Sequence, residues 1–271
     1  MRSPWVLHHG GGTNSTALAI ELYRRGVRPD AILFSDTKAE KPETYTFIER
    51  FDKWLQHRNF PGITIVKANG VDLETDCLTR ETLPSVAFGF KTCSQRWKTQ
   101  PQDKWINSWP MAREAWAEGG KVVKMIGYDA GERHRVKDYN DDKFIVTYPL
   151  VDWGDNRQKC VEIVKSKGFN PGKSSCFFCP NMRKWEVLAL AKSHPDLIQR
   201  ALAMEANAKS VTTVAGLGRS YSWTGLIKQD AEQLRLFPVQ DEAAEEMPCG
   251  CYDGAACETP VTHHAHPPTA A

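Results

Sequence analysis

The sequence predicts an α/β fold: a Rossmann-like parallel sheet with helices on both faces and a helical C-terminal extension. Three observations predict it. Short apolar runs alternate with helix-like segments along the chain, the pattern of β-α-β units. Several of those runs end in glycine or small polar residues, as strands do where they open onto a ligand. The composition is also that of an ordinary globular protein: 271 residues, 41% hydrophobic and 25% charged. Those values exclude a collagen, a coiled coil or wholesale disorder.

The elements run in order along the chain. Trp5-Val-Leu-His8 is a short apolar run that ends in glycines, and Ala17 to Tyr23 reads as a helix with Leu18 and Leu22 one turn apart. Ala31-Ile-Leu-Phe34 is a second buried strand, ending at Ser35-Asp36. Pro42 stands where a helix tolerates proline, and Phe47, Phe51, Trp54 and Leu55 form its apolar stripe. Ile63–Val66, Val122–Ile126 and Phe144–Val146 complete five strands. Residues 180–210 read as helices broken at His194-Pro195. From about residue 238 the composition turns to Pro, Ala, Glu, Thr and His, the mark of a flexible tail. The expected organisation is an α/β domain over 1–185, a helical extension over 186–237 and an acidic, cysteine-containing tail over 238–271.

No apolar run approaches the 18 or so residues that span a bilayer, and no apolar signal region stands behind the first residues. A cytoplasmic, reducing setting is expected, where clustered cysteines are metal ligands or redox groups more often than disulfides. The net charge of +2 hides an asymmetry. Six of the 33 acidic side chains and none of the 35 basic ones lie beyond residue 238, so the body carries a net +8. A basic body suits a nucleotide or nucleic acid, although a solvated surface with an acidic tail reads the same way.

The first chemical feature is His9-Gly-Gly-Gly-Thr-Asn-Ser-Thr16, between the first strand and the first helix. Three glycines let backbone approach a ligand closely, and the helix N-terminus offers free N–H groups to phosphate. It is neither a Walker A loop nor G-x-G-x-x-G. A tight structural turn is the plain alternative.

The loop is similar to the Ser-Gly-Gly-x-Asp-Ser pyrophosphate loop of the adenine-nucleotide α-hydrolase (PP-loop) superfamily. The matching residues are Gly10, Gly11, Gly12, Thr13, Asn14 and Ser15, with Thr16 next in the chain. Gly10 stands for the usual Ser and Asn14 for the usual Asp, which removes a negative charge near the phosphates. Further segments resemble the phosphoadenosine phosphosulfate (PAPS) reductase branch in the same order. They are Asp36-Thr37 with Glu40-Lys-Pro-Glu-Thr44, then Gly127 through Glu132, Arg133 and Arg135, and Tyr148-Pro-Leu-Val-Asp-Trp153. Together they cover roughly residues 5–185. The resemblance implies the HUP-type Rossmann fold and an adenine nucleotide, ATP or a relative, with magnesium. Gly10–Thr16, Asp36, Thr37, Gly127, Glu132, Arg133, Arg135 and Lys98 become the expected nucleotide-binding set. Asn14 and Ser15 are the expected catalytic residues of the loop.

Ser174-Ser-Cys-Phe-Phe-Cys-Pro180 contains Cys-x2-Cys, a spacing that lets two thiolates grip one metal or cluster. Cys93 lies in a stretch that looks like the branch's Cys-x4-Lys-x2-Pro segment, with Lys98 and Pro101 in place. Cys160 precedes the Cys-x2-Cys loop. Cys93, Cys160, Cys176 and Cys179 form the expected four-cysteine set, with Cys160 as a small buried core residue the alternative. The resemblance favours a [4Fe-4S] cluster; zinc is the alternative. In the tail, Cys249 and Cys251 are candidate catalytic nucleophiles, because sulfonucleotide reductases attack sulfur with a tail cysteine.

Three functions are expected. The first is ATP-dependent, pyrophosphate-releasing sulfur transfer to a nucleic acid (DNA or tRNA) or a small molecule. The resemblance extends here to the DNA phosphorothioation sulfur-incorporation proteins. The second is a PAPS/APS reductase that releases sulfite. The third is a nucleotide- or nucleic-acid-binding protein without catalysis. A cysteine desulfurase or thioredoxin-like donor and a second copy of the chain are the expected protein partners.

Overall fold

The computed structural model describes residues 2–208 and 214–232. Its strands are β1 (Trp5–His8), β2 (Ala31–Ser35), β3 (Ile63–Val66), β4 (Val122–Ile126) and β5 (Phe144–Thr147). All pair in parallel, in the order β3-β2-β1-β4-β5. The chain therefore winds outward from β1 in one direction through β2 and β3. It then returns to the other side of β1 for β4 and β5. The carboxyl ends of β1 and β4 flank the point where the winding reverses, which is where open α/β sheets bind ligands.

Around the sheet lie α1 (Thr13–Arg24), α2 (Pro42–Gln56), α3 (Leu73–Thr79), α4 (Thr92–Ser94), α5 (Gln100–Ser108) and α6 (Pro110–Ala117). Next come α7 (Pro149–Asp152), α8 (Arg157–Lys165), α9 (Lys184–Ser193), α10 (Pro195–Asn207) and α11 (Trp223–Glu232). Alternation along β1 divides the core. Leu7 joins Ile32, Phe34, Leu18, Phe51 and Ile163 on the face covered by α1, α2 and α8. Val6 joins Leu33, Val122, Ile106 and Ala112 on the face covered by α5 and α6. Helices on both faces explain why the strands read as continuous apolar runs. Helix α1 is buried from Thr13 to Leu22, so its sequence lacks a clean polar stripe. Helix α2 has Pro42 at its start and buries Phe47, Ile48, Phe51 and Leu55. The break expected at His194-Pro195 separates α9 from α10.

A second core lies beyond the strand ends. It gathers Leu73, Cys77, Leu83 and Trp97 with Cys176, Phe177, Phe178 and Cys179 and with residues of α9, α10 and α11. The C-terminal helices thus form a helical part packed over the cysteine loop. Among the described residues no helix is long and apolar enough to cross a membrane. The tail from 238 onward, with Cys249 and Cys251, lies outside the described residues.

Candidate active site

The loop from His9 to Thr16 is held from below by its own side chains. His9 is fully buried and stacks on Phe51 at 5.3 Å. Burial pushes its pKa down to about 3, so the imidazole is neutral. Its Nδ1 accepts from the Gly11 N–H at 3.2 Å. The proton therefore sits on Nε2, which donates to Thr16 Oγ1 at 3.2 Å. Thr16 Oγ1 donates in turn to the Gly12 carbonyl at 2.8 Å. Ser15 Oγ accepts from the Gly10 N–H at 3.1 Å and donates to the same carbonyl at 3.2 Å. Thr16, expected among the phosphate ligands, is placed under the loop as a brace, with no exposure.

Two glycines are required by geometry. Gly11 has φ +76, and a Cβ there would lie 3.2 Å from both Phe34 and Thr44. A Cβ on Gly127 would lie 2.8 Å from the Ser15 Cα and 2.9 Å from its nitrogen. Only a residue without a side chain lets the turn after β4 press against the first turn of α1. That helix start has no side-chain cap, so its first N–H groups remain available to an anion.

Asn14 is the centre of a buried polar network. Its Nδ2 donates to Asp129 Oδ2 and to Glu132 Oε2, both at 2.8 Å. Its Oδ1 accepts from Arg157 Nη1 at 2.8 Å. Glu132 also pairs with Arg135 and caps the Asp129 N–H. Burial raises the Glu132 pKa, Arg135 opposes that rise and Asp129 reinforces it. The Arg135 guanidinium lies 4.3 Å from the ring centroid of Tyr128, which stacks on Tyr148 at 5.3 Å. An amide at position 14 fits two carboxylates and one guanidinium; a carboxylate would face like charges. The departure from the usual Asp thus has a physical cause in this chain.

These parts border one open crevice. Gly10, Gly12, Thr13, Asn14, Ser15, Lys98, Gly127, Glu132 and Arg135 line it, as do His8, Tyr128, Arg157, Lys173 and Ser174. The latter five were not singled out from the sequence. Ser174 Oγ donates to the Gly10 carbonyl at 2.7 Å, tying the cysteine loop to the His9–Thr16 loop. Gly11, Thr16, Asp36, Thr37 and Arg133 do not line this crevice. Asp36 accepts from the Lys38 N–H and the Tyr45 hydroxyl, and Arg133 is exposed and donates to the Val151 carbonyl.

A second cavity adjoins the first. Thr37, Lys98, Cys93, Cys176 and Cys179 line it. A π-helical segment, Gln95–Thr99, sets Lys98 between the two spaces, 3.4 Å from Glu40. Thr37 Oγ1 lies 3.4 Å from Cys176 Sγ. Burial pushes the Cys176 and Cys179 thiols up, and neighbouring Glu40 raises Cys176 further. Cys160 is set apart. It lies on α8 in the core beneath α1, with Ile163 and Val164, and burial raises its thiol to about 12. The structure therefore brings three of the four expected cysteines to one cavity and packs the fourth between apolar residues. Among the described residues no group of three or more His, Cys, Asp or Glu is arranged to hold a metal ion. The residues as placed do not fit a four-cysteine cluster.

No family model matches the chain, and no curated protein matches it. Solved structures to which the chain is similar include a PAPS reductase and a tRNA thiolase. The chain is similar to phosphoadenylyl-sulfate (PAPS) reductase from Candida auris, solved with phosphate, with 13% identity and a TM-score of 0.45. That match covers 63% of this chain and 75% of the other. It is also similar to the U34-tRNA thiolase NcsA from Methanococcus maripaludis, solved with its [4Fe-4S] cluster. There the identity is 13% and the TM-score 0.38, over 84% of this chain and 81% of the other.

Proposed function

We propose that the chain is a PP-loop enzyme of the PAPS reductase-like branch that binds ATP, adenylates an acceptor oxygen with release of pyrophosphate, and transfers sulfur to the activated position. One observation carries the reading. The uncapped start of α1 opens into a crevice at the switch point between β1 and β4, bordered by Lys98, Arg135 and Arg157. Free N–H groups and fixed cations converge where phosphates would lie.

The chemistry derives from that arrangement. The loop N–H groups and Arg157 hold the β- and γ-phosphates and stabilise charge as pyrophosphate leaves. The acceptor oxygen attacks the α-phosphorus; the new P–O bond forms as the bond to pyrophosphate breaks. All four carboxylate oxygens of Asp129 and Glu132 accept from protein donors and so fix Asn14 and Arg135 at the crevice; magnesium, when bound with the nucleotide, would offset phosphate charge. A thiol of the Cys93, Cys176 and Cys179 cavity carries sulfur as a persulfide received from a protein persulfide donor. Its terminal sulfur attacks the activated carbon and AMP departs. A second thiol of the three then cleaves the S–S bond, supplying two electrons and leaving a protein disulfide. No step requires a cluster. The basic body favours a nucleic-acid acceptor.

The test is ATP turnover by the purified chain with tRNA or DNA. AMP and pyrophosphate formed only with the acceptor support the reading. Sulfite released from PAPS or APS, without ATP use, would replace it with the reductase. Binding of ATP without turnover on any acceptor would leave a binding protein.

A further inference from the structure

We propose that His8 reads the nucleoside half of the bound nucleotide, accepting a hydrogen bond from a sugar hydroxyl or a base amine. This rests on the crevice being a nucleotide site and adds to it the residue that recognises the nucleoside beyond the phosphates.

His8 is the last residue of β1 and stands two positions before Gly10. At about 3.3 Å per extended residue, its Cα lies up to about 7 Å from that of Gly10. Its side chain shares the α5 face with Val6, and it lines the crevice beside Lys98 and Gly127. It is 7% exposed.

The two adjacent histidines differ in what their ring nitrogens do. Both nitrogens of His9 are used by the loop. Those of His8 are not. Its Nε2 and Gln102 Oε1 are both buried, neither has another partner, and Gln102 lies beside the ring. Gln102 is oriented from its other end: its Nε2 donates to Ser35 Oγ at 2.9 Å, and that hydroxyl donates to the Lys98 carbonyl at 2.7 Å. The amide thus turns an acceptor, and only an acceptor, toward His8. The complementary tautomer carries its proton on Nε2 and leaves the lone pair of Nδ1 for the crevice. Burial, with Lys124 nearby, keeps the ring neutral. A neutral acceptor on the floor of a cationic crevice cannot serve a phosphate. It serves a donor, and the donors of a nucleotide are its hydroxyls and exocyclic amine.

The experiment is equilibrium binding of ATP, 2′-deoxy-ATP, 3′-deoxy-ATP and inosine triphosphate to the full chain and to His8→Phe and His8→Asn. Phe fills the space without an acceptor; Asn places Oδ1 near the position of Nδ1. The unmodified chain is expected to bind one analogue about three- to tenfold more weakly than ATP, the worth of one neutral hydrogen bond. A deoxy analogue would identify the hydroxyl, inosine triphosphate the amine. His8→Phe should bind ATP that much more weakly and treat that analogue like ATP, while His8→Asn should restore the preference. Equal binding of all four by the unmodified chain, or a preference that survives in folded His8→Phe, overturns the proposal. No ATP binding by the unmodified chain would instead overturn the nucleotide reading itself.

Discussion

Replacing Asn14 with the residue usual in similar loops should damage this protein. In Asn14→Asp the side chain loses both donors to Asp129 and Glu132, each bond 2.8 Å long. Hydrogen bonds to charged groups contribute about 1.5–3 kcal/mol each, and a third carboxylate is set against two buried ones. Arg157 remains as a partner and recovers part of the loss. The net expectation is about 3–5 kcal/mol of destabilisation, or a melting temperature lower by about 6–15 °C at this chain length. The loss should depend on pH. The Glu132 pKa is raised in the folded state, so its contribution is fully present below the unfolded carboxylate pKa and is lost as pH rises through the folded value. A further carboxylate steepens that loss. The gap between Asn14→Asp and the unmodified chain should therefore widen from about pH 4.5 to neutrality. Thermal melts across that range read it directly. A variant that melts within about 1 °C of the unmodified chain at neutral pH, or one that gains turnover, would refute the network as the reason for Asn14.

Other perturbations act on the same contacts. Gly127→Ala sets a Cβ 2.8 Å from backbone that cannot yield, and should cost about 2 kcal/mol or more with loss of ATP binding in titration calorimetry. Ser174→Ala removes the hydroxyl bound to the Gly10 carbonyl and should weaken ATP about fivefold with little change in melting. Cys176→Ser should abolish sulfur transfer and leave ATP binding intact, whereas Cys160→Ser should lower stability by about 1–3 kcal/mol and spare transfer. His9 has its pKa lowered to about 3, so the unfolded chain binds the extra proton. Stability at His9 should fall by about 1.4 kcal/mol per pH unit below about pH 6.5, and denaturant titrations of His9→Gln should show a shallower acid slope.

Much of the fold was legible because it rests on local patterns. Strands such as Ala31–Ser35 are buried on both faces and read as apolar runs, and the His9–Thr16 loop carries its own glycines. The segments 92–117 were not legible as helices, since Trp97 and Ile106 belong to different cores and show no single stripe. Asn14 looked like a lost carboxylate, because its partners Asp129, Glu132 and Arg157 are more than a hundred residues away. Cys160 looked like a fourth ligand because sequence proximity to Cys176 does not reveal that α8 turns it beneath α1. His8 gave no signal in sequence; its interest arises from the buried Gln102 amide that α5 sets beside it at the end of β1. The closeness of Cys176 and Cys179 was legible in Cys-x2-Cys, but the contact of their loop with the His9–Thr16 loop through Ser174 was not.

The most direct test of the proposed chemistry is the product of ATP turnover, traced with label on the α-phosphate in the presence of tRNA or DNA. Labelled AMP with one pyrophosphate for each is expected, and no product when Arg157 is replaced by Ala. Labelled ADP, or AMP formed equally well by Arg157→Ala, would contradict it.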